Sequence, residues 1–319
     1  MTTVAQPVRI GVRFEPDWPP EQLPEFARWA EDAGFHELWF SEDLPWAGGI
    51  AMVATALAVT DRIRVGIGLL PTGTRNVATT AMEVAALARL APGRLTLALG
   101  HGIPSWMEQI GADVPRRFAA LEETALALRA LLAGERVTIT GSHVRLDAVQ
   151  LGFPPADVPP ILLGTTGPVG LRVTGRSSDG VLLPEIASPD AVRWARDEMI
   201  AAGGSGRTML LAMTSIGDDR EQALAEVRAR VQRLVDFHVF DRLTDIAGLG
   251  AEGNGELTDS ILQSIAIAGT PDDAVRSVTG WIDAGADTII VVAGADNPLE
   301  SYQRFANDVL PRLTDREIR

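Results

Sequence analysis

Residues 63–100 read IRVGIGLLPTGTRNVATTAMEVAALARLAPGRLTLALG. The first eight are an almost unbroken apolar run, and so are the last six. Between them, 77–90 carries apolar residues at helical spacing. A strand that is apolar on every position is one covered on both faces, as in a parallel sheet, and a parallel neighbour needs a helical crossover. The stretch therefore predicts strand, helix, strand in one β/α unit.

The same alternation extends in both directions. Short β-type runs are read at 8–14, 37–41, 63–70, 95–100, 161–164, 180–184, 209–214 and 288–293. Amphipathic helical stretches fall at 20–34, 50–59, 77–90, 116–132, 168–175, 189–202, 220–235, 271–284 and 299–313. Gly34 is a plausible helix stop. Ser188-Pro189 and Thr270-Pro271 mark helix starts, with a hydroxyl before a first-turn proline. Eight strands each feeding a helix predict an α/β fold of the closed (β/α)8 TIM-barrel type, one domain over 1–319. An open doubly wound sheet is the alternative, and the first strand lacks the GxGxxG turn of its dinucleotide-binding version. Two insertions interrupt the pattern. One, at 135–160, holds a hairpin around Gly141-Ser142, and a Gly-rich, acidic excursion covers 240–259.

Composition narrows the chemistry. The chain has 319 residues, 28 basic against 42 acidic, and a net charge of −14. No basic block is present, so neither nucleic acid nor an anionic membrane is an expected partner. Without cysteine there is no disulfide, thiolate metal site or cysteine nucleophile. His36, His101, His143 and His238 have no metal-ligand spacing, so no metal is expected. No apolar run spans a membrane, residues 1–8 have no signal-like apolar stretch, and a cytoplasmic location is expected.

In such a barrel the site lies at the C-terminal strand ends. Those ends carry Phe14-Glu15, Ser41-Glu42-Asp43, Gly68-Leu69-Leu70, Gly100-His101-Gly102, Gly164-Thr165-Thr166-Gly167 and Pro184-Glu185. His101 titrates in the neutral range when unperturbed and is the leading proton-handling candidate. Alternation along a strand turns one of Glu42 and Asp43 inward, and Glu42 is taken as that residue and as the second acid–base group. The Gly164–Gly167 turn suits a phosphate, because its backbone N–H groups are accessible and a helix begins at Pro168. Trp46 and Trp106 are candidates for the wall of an apolar pocket.

Four segments carry a family resemblance. They are Ala33-Gly34-Phe35 with Leu38–Asp43; Ile63–Gly68 with Arg75-Asn76; Pro92–Leu95 running to Gly100-His101-Gly102; and Gly175–Gly180 with Gly269–Asp273 and Asp283–Asp287. In order and spacing the chain resembles the luciferase-like superfamily, and within it the coenzyme F420-dependent oxidoreductases. The resemblance implies a (β/α)8 barrel with insertions and a homodimer. It implies coenzyme F420, with FMN as the alternative, lying across the C-terminal strand ends. It also implies a non-proline cis peptide at Gly68–Leu69, which with Leu70 backs the ring. Glu42, Asp43, Gly100, His101, Gly102, Gly164, Thr165, Thr166 and Gly167 would complete the coenzyme site, with Arg13 and Arg75 as possible contacts for its anionic tail. The implied activity is hydride transfer between F420 and a small organic molecule. Alternatives are an FMN-dependent monooxygenase and a ligand-binding barrel without turnover. Where some sugar-phosphate dehydrogenases of the family have Asp-His, this chain has Glu42-Asp43. Ile103 stands in place of their acidic proton donor, and lysine is absent. A sugar phosphate is therefore not the expected substrate.

Overall fold

The computed structural model describes residues 8–236, 240–249 and 257–313. Eleven strands occur among them: β1 (Arg9–Arg13), β2 (Glu37–Phe40), β3 (Arg64–Pro71), β4 (Leu95–Gly100), β5 (Val137–Thr140), β6 (Arg145–Val149), β7 (Ile161–Leu163), β8 (Gly180–Leu183), β9 (Thr208–Ile216), β10 (Ile267–Gly269) and β11 (Thr288–Ala293). The ring runs β1-β2-β3-β4-β7-β8-β9-β11 and closes from β11 back to β1. Every pairing in it is parallel. The closed (β/α)8 barrel expected from the alternation is thus present, and each of the eight runs read as strands supplies one stave.

Local signals hold at the helix ends. Gly34, at φ +91, follows the helix Leu23–Asp32, a backbone conformation glycine adopts without Cβ strain. Ser188 Oγ accepts from Ala191 N, and Thr270 with Asp273 forms a reciprocal capping box. The hairpin expected in the first insertion is β5 with β6. The second insertion holds the helix Asp241–Ile246, and its residues 250–256, like His238, lie outside the described residues. One strand escapes the sequence pattern. β10 is three residues long and pairs with residues 214–216 of β9, on the edge that β8 leaves free after residue 210. So short a run has no periodicity to read. No helix among the described residues is long and apolar enough to cross a membrane.

The barrel interior is organised by one tryptophan. Trp39 is fully buried, and its Nε1 donates to Glu37 Oε2 at 2.8 Å. Its ring occupies space left by glycines on both neighbouring strands: a Cβ on Gly66 would sit 2.4 Å from it, and one on Gly11 3.1 Å. Gly66→Ala is expected to cost about 1–3 kcal/mol, because the ring has no room to retreat. Chemical denaturation of the variant measures this, and an unchanged midpoint would mean the ring is not confined.

Candidate active site

Strands β3, β4 and β7 build the floor of the mouth with their C-terminal ends. The Gly68–Leu69 peptide is cis, as the resemblance implies, and the β3–β4 register shifts between Ile67 and Leu70. The Leu69 side chain lies across two glycines. A Cβ on Gly100 would come 2.3 Å from its Cδ2, and one on Gly164 2.5 Å. On Gly68 a Cβ would come 2.4 Å from Leu182. The glycines at the end of β4 and after β7 therefore leave the room that the Leu69 side chain fills, and Gly68 on β3 leaves room for Leu182. Leu70 is buried beneath. In Gly164→Ala the end of Leu69 can yield, so the expected result is a raised floor, with a melting temperature within a few degrees of the parent and at least tenfold weaker ligand binding. Parallel melting and binding curves would show it; unaltered binding would remove Leu69 from the site.

His101 follows directly after β4. Neither ring nitrogen is exposed, and neither has a hydrogen-bond partner among the described residues. The ring meets Phe118 edge-on at 5.1 Å. Burial, with the nearby Arg117 charge, lowers its pKa to about 4, so the imidazole is neutral at pH 7. Burying two unpaired nitrogens is costly unless something pairs them. Gly102, at φ +70, turns the chain away so that Met107 packs behind it.

The pair after β2 divides differently from expectation. Glu42 is bound by Arg75, whose Nη2 and Nε donate to it at 2.6 and 3.3 Å, and by Gly49 N at 3.0 Å. These bonds commit its carboxylate to holding Arg75 and the start of the helix Gly49–Val59, so the geometry does not favour Glu42 as a free proton donor. The hydrogen bond to Glu42 in turn raises Arg75. Ser41 Oγ is buried and unpartnered, and Asp43 is half-buried with no side-chain bond among the described residues.

The turn after β7 leads into the helix Pro168–Ser177 with Gly167 as its N-cap and no side chain capping it. Thr174 Oγ1 donates to Gly170 O, which leaves the Thr165 hydroxyl to donate to Thr174 at 3.0 Å. Thr165 is therefore turned into the core, whereas Thr166 is half-buried; the Gly164 N–H of the turn is donated to Leu99 O at 2.8 Å. Beside this turn runs a groove of about 560 Å³ lined by Asp113, Val114, Arg116, Arg117, Phe118 and Ala119. Arg116 and Arg117 are exposed and make no ion pair among the described residues. Sequence reasoning passed over this segment, although Pro115-Arg116-Arg117 in an acidic chain was a readable signal.

On the other side of the mouth, Arg13 donates to Glu15 at 2.7 Å and to Glu185 at 3.0 Å. Glu15 also accepts from Ala293 N at 2.9 Å and from the Tyr302 hydroxyl. Burial lowers Arg13, but the two carboxylates outweigh it and the guanidinium is held firmly charged. Arg13 is thus engaged with protein carboxylates. Trp46, Ile103 and Ile110 are exposed apolar side chains of the loops after β2 and β4. Among the described residues no cluster fit to hold a metal occurs.

A closed parallel (β/α)8 barrel that leaves the Ser41 hydroxyl and both His101 nitrogens buried and unpartnered at its C-terminal mouth has its candidate ligand site there. A family model described as luciferase-like monooxygenase matches residues 4–288, and the chain belongs to that family. It is 27% identical over 303 residues to the 5,10-methylenetetrahydromethanopterin reductase of Methanolobus tindarius, covering 88% of this chain and 93% of that one. It is also 27% identical over 319 residues to the F420-dependent glucose-6-phosphate dehydrogenase of Nocardia farcinica, with 92% and 94% covered. Among solved structures, an F420-dependent secondary alcohol dehydrogenase in complex with an F420–acetone adduct superposes with a TM-score of 0.81. That match has 19% identity and covers 97% of this chain and 100% of the other. The F420-dependent tetrahydromethanopterin reductase of Methanopyrus kandleri gives 0.78 at 19% identity, with 97% and 100% covered.

Proposed function

We propose that this protein is a coenzyme F420-dependent oxidoreductase, passing a hydride between the deazaflavin and a small organic substrate. The observation that carries the reading is His101: an imidazole with two buried, unpaired nitrogens beside a floor where Leu69 lies over Gly100 and Gly164. The F420-dependent relatives support it. When bound, the coenzyme supplies a ring carbon that carries hydride.

The chain's own residues then have distinct tasks. Leu69, with Gly68 and Leu70, backs the ring. The backbone of Thr165–Gly167 and the Thr166 hydroxyl hold the phosphate, aided by the positive end of the helix, while the Gly164 N–H is taken by Leu99 O. Arg116 and Arg117 attract the anionic tail into a protein that is otherwise acidic. His101, neutral at pH 7, accepts or returns the substrate's proton. Asp43 and Ser41 contact the ring edge, while Glu42 fixes Arg75. Trp46 and Ile103 favour an uncharged, apolar substrate. Part of the same proposal is a cytoplasmic homodimer. Its support is the exposed Met82, one turn-pair from Arg89, which lies over the exposed Phe153 ring at 5.7 Å.

Titration of the purified protein with F420 and with FMN tests the reading, followed by reduction of F420 by candidate alcohols. Saturable F420 binding and turnover are expected. FMN binding with oxygen consumption and no F420 binding would transfer the protein to the monooxygenases. Firm F420 binding with no turnover on any acceptor would make it a carrier.

A further inference from the structure

The end of the barrel away from the mouth carries a second charged pocket. Arg9 opens β1, Arg64 opens β3, and Arg207 immediately precedes β9. Together with Arg196, Ser205 and Asp287 they line a cavity of about 280 Å³ at the N-terminal rim.

Its charges do not cancel. Arg196 is spent internally: its Nη1 donates to Gly206 O at 2.9 Å and Gly285 O at 2.7 Å and meets Asp287 at 3.4 Å. Asp287 also accepts from Thr208 N. The remaining three guanidiniums face one carboxylate, Glu37, at 3.6 Å from Arg9 and 3.9 Å from Arg64. Glu37 already receives the Trp39 indole. Arg207 makes no ion pair and no side-chain hydrogen bond among the described residues. Arg64 Nε is buried without a hydrogen-bond partner. Two positive charges are left over within one small pocket of a chain whose net charge is −14. Burial, then the charge of Arg9, with a lesser push from Arg207, lowers the Arg64 pKa, the mark of a cation short of counter-charge. Confined like charges of this kind cost stability unless an anion joins them.

We propose that this pocket binds a phosphate group, free or carried as a phosphomonoester, between Arg9, Arg64 and Arg207. A doubly charged group matches the surplus, and its several acceptor oxygens suit guanidinium forks and the orphaned Arg64 N–H. The site lies at the opposite end of the barrel from the mouth, so it stands apart from the coenzyme reading.

The test is thermal melting and calorimetry of the full chain with inorganic phosphate and with phenyl phosphate, at ionic strength held constant with sodium chloride. A saturable rise in melting temperature with either probe is expected, and the tighter probe identifies the source. Arg207→Ala should weaken that binding about tenfold or more, the loss typical of one charge-assisted hydrogen bond. Arg64→Gln should do the same if the Arg207 variant folds poorly. No response to either probe would overturn the proposal. So would an equal response to added chloride, or an undiminished response in both variants, which would place the anion elsewhere.

Discussion

Glu15→Ala is expected to lower the unfolding free energy by about 3–5 kcal/mol, the scale for removing one partner of a buried ion pair. Three donors converge on this carboxylate from separate parts of the chain: Arg13, the Ala293 N–H and the Tyr302 hydroxyl. It thereby ties β1 to the end of β11 and to the helix Pro298–Arg304. Its removal leaves a buried N–H and a buried hydroxyl unpaired, and Arg13 with Glu185 alone. Burial, followed by the Glu15 charge, raises the Tyr302 pKa, so the phenol stays a donor at any working pH. Glu15→Gln keeps an acceptor and should cost less. Urea unfolding of both variants measures the difference, and a loss under 1 kcal/mol for the Ala variant would show the cluster to be effectively hydrated.

The second large effect concerns His101. In His101→Ala, kcat/KM should fall about 10²–10⁴-fold, the usual contribution of a positioned acid–base group, with F420 affinity changed much less. A residue that only binds the coenzyme would instead lose affinity and keep kcat. The pH dependence separates the roles further. In the free protein the imidazole pKa is lowered to about 4, mainly by burial and then by Arg117. As pH falls below about 6.5 the unfolded chain takes up this proton first. Stability therefore declines from about pH 6.5 to about pH 4, where the loss is complete, by as much as about 3 kcal/mol. His101→Ala should lack that contribution. NMR titration of the His101 ring checks the sign: a midpoint near 6.5 would mean that the ring is solvated.

Much of the fold was written in local composition. Unbroken apolar runs such as 95–100 have no exposed face to satisfy, and only a doubly covered parallel strand accommodates them. Ser188, Thr270 and Gly34 set helix boundaries through bonds and dihedrals made within a few residues, so neighbouring sequence was enough. β10 and the helix Pro104–Gln109 are too short to show a period.

The site was legible only as an address. Sequence placed His101, the Gly164–Gly167 turn and the Glu42-Asp43 pair at strand ends, because strand order along the chain fixes which loops share a rim. It did not determine side-chain partners. Glu42 was drawn away by Arg75, 33 residues further on, and Arg13 by Glu185, 172 residues away. Arg117 and Phe118 reached His101 from the start of the helix Arg117–Leu132, 16 and 17 residues further on. What the sequence determined by itself was the barrel and its working end, since periodicity and capping are local properties. Which polar groups stay unpaired there was decided by the tertiary structure alone, because ion pairs and burial depend on distances that exist only once the ring of strands has closed.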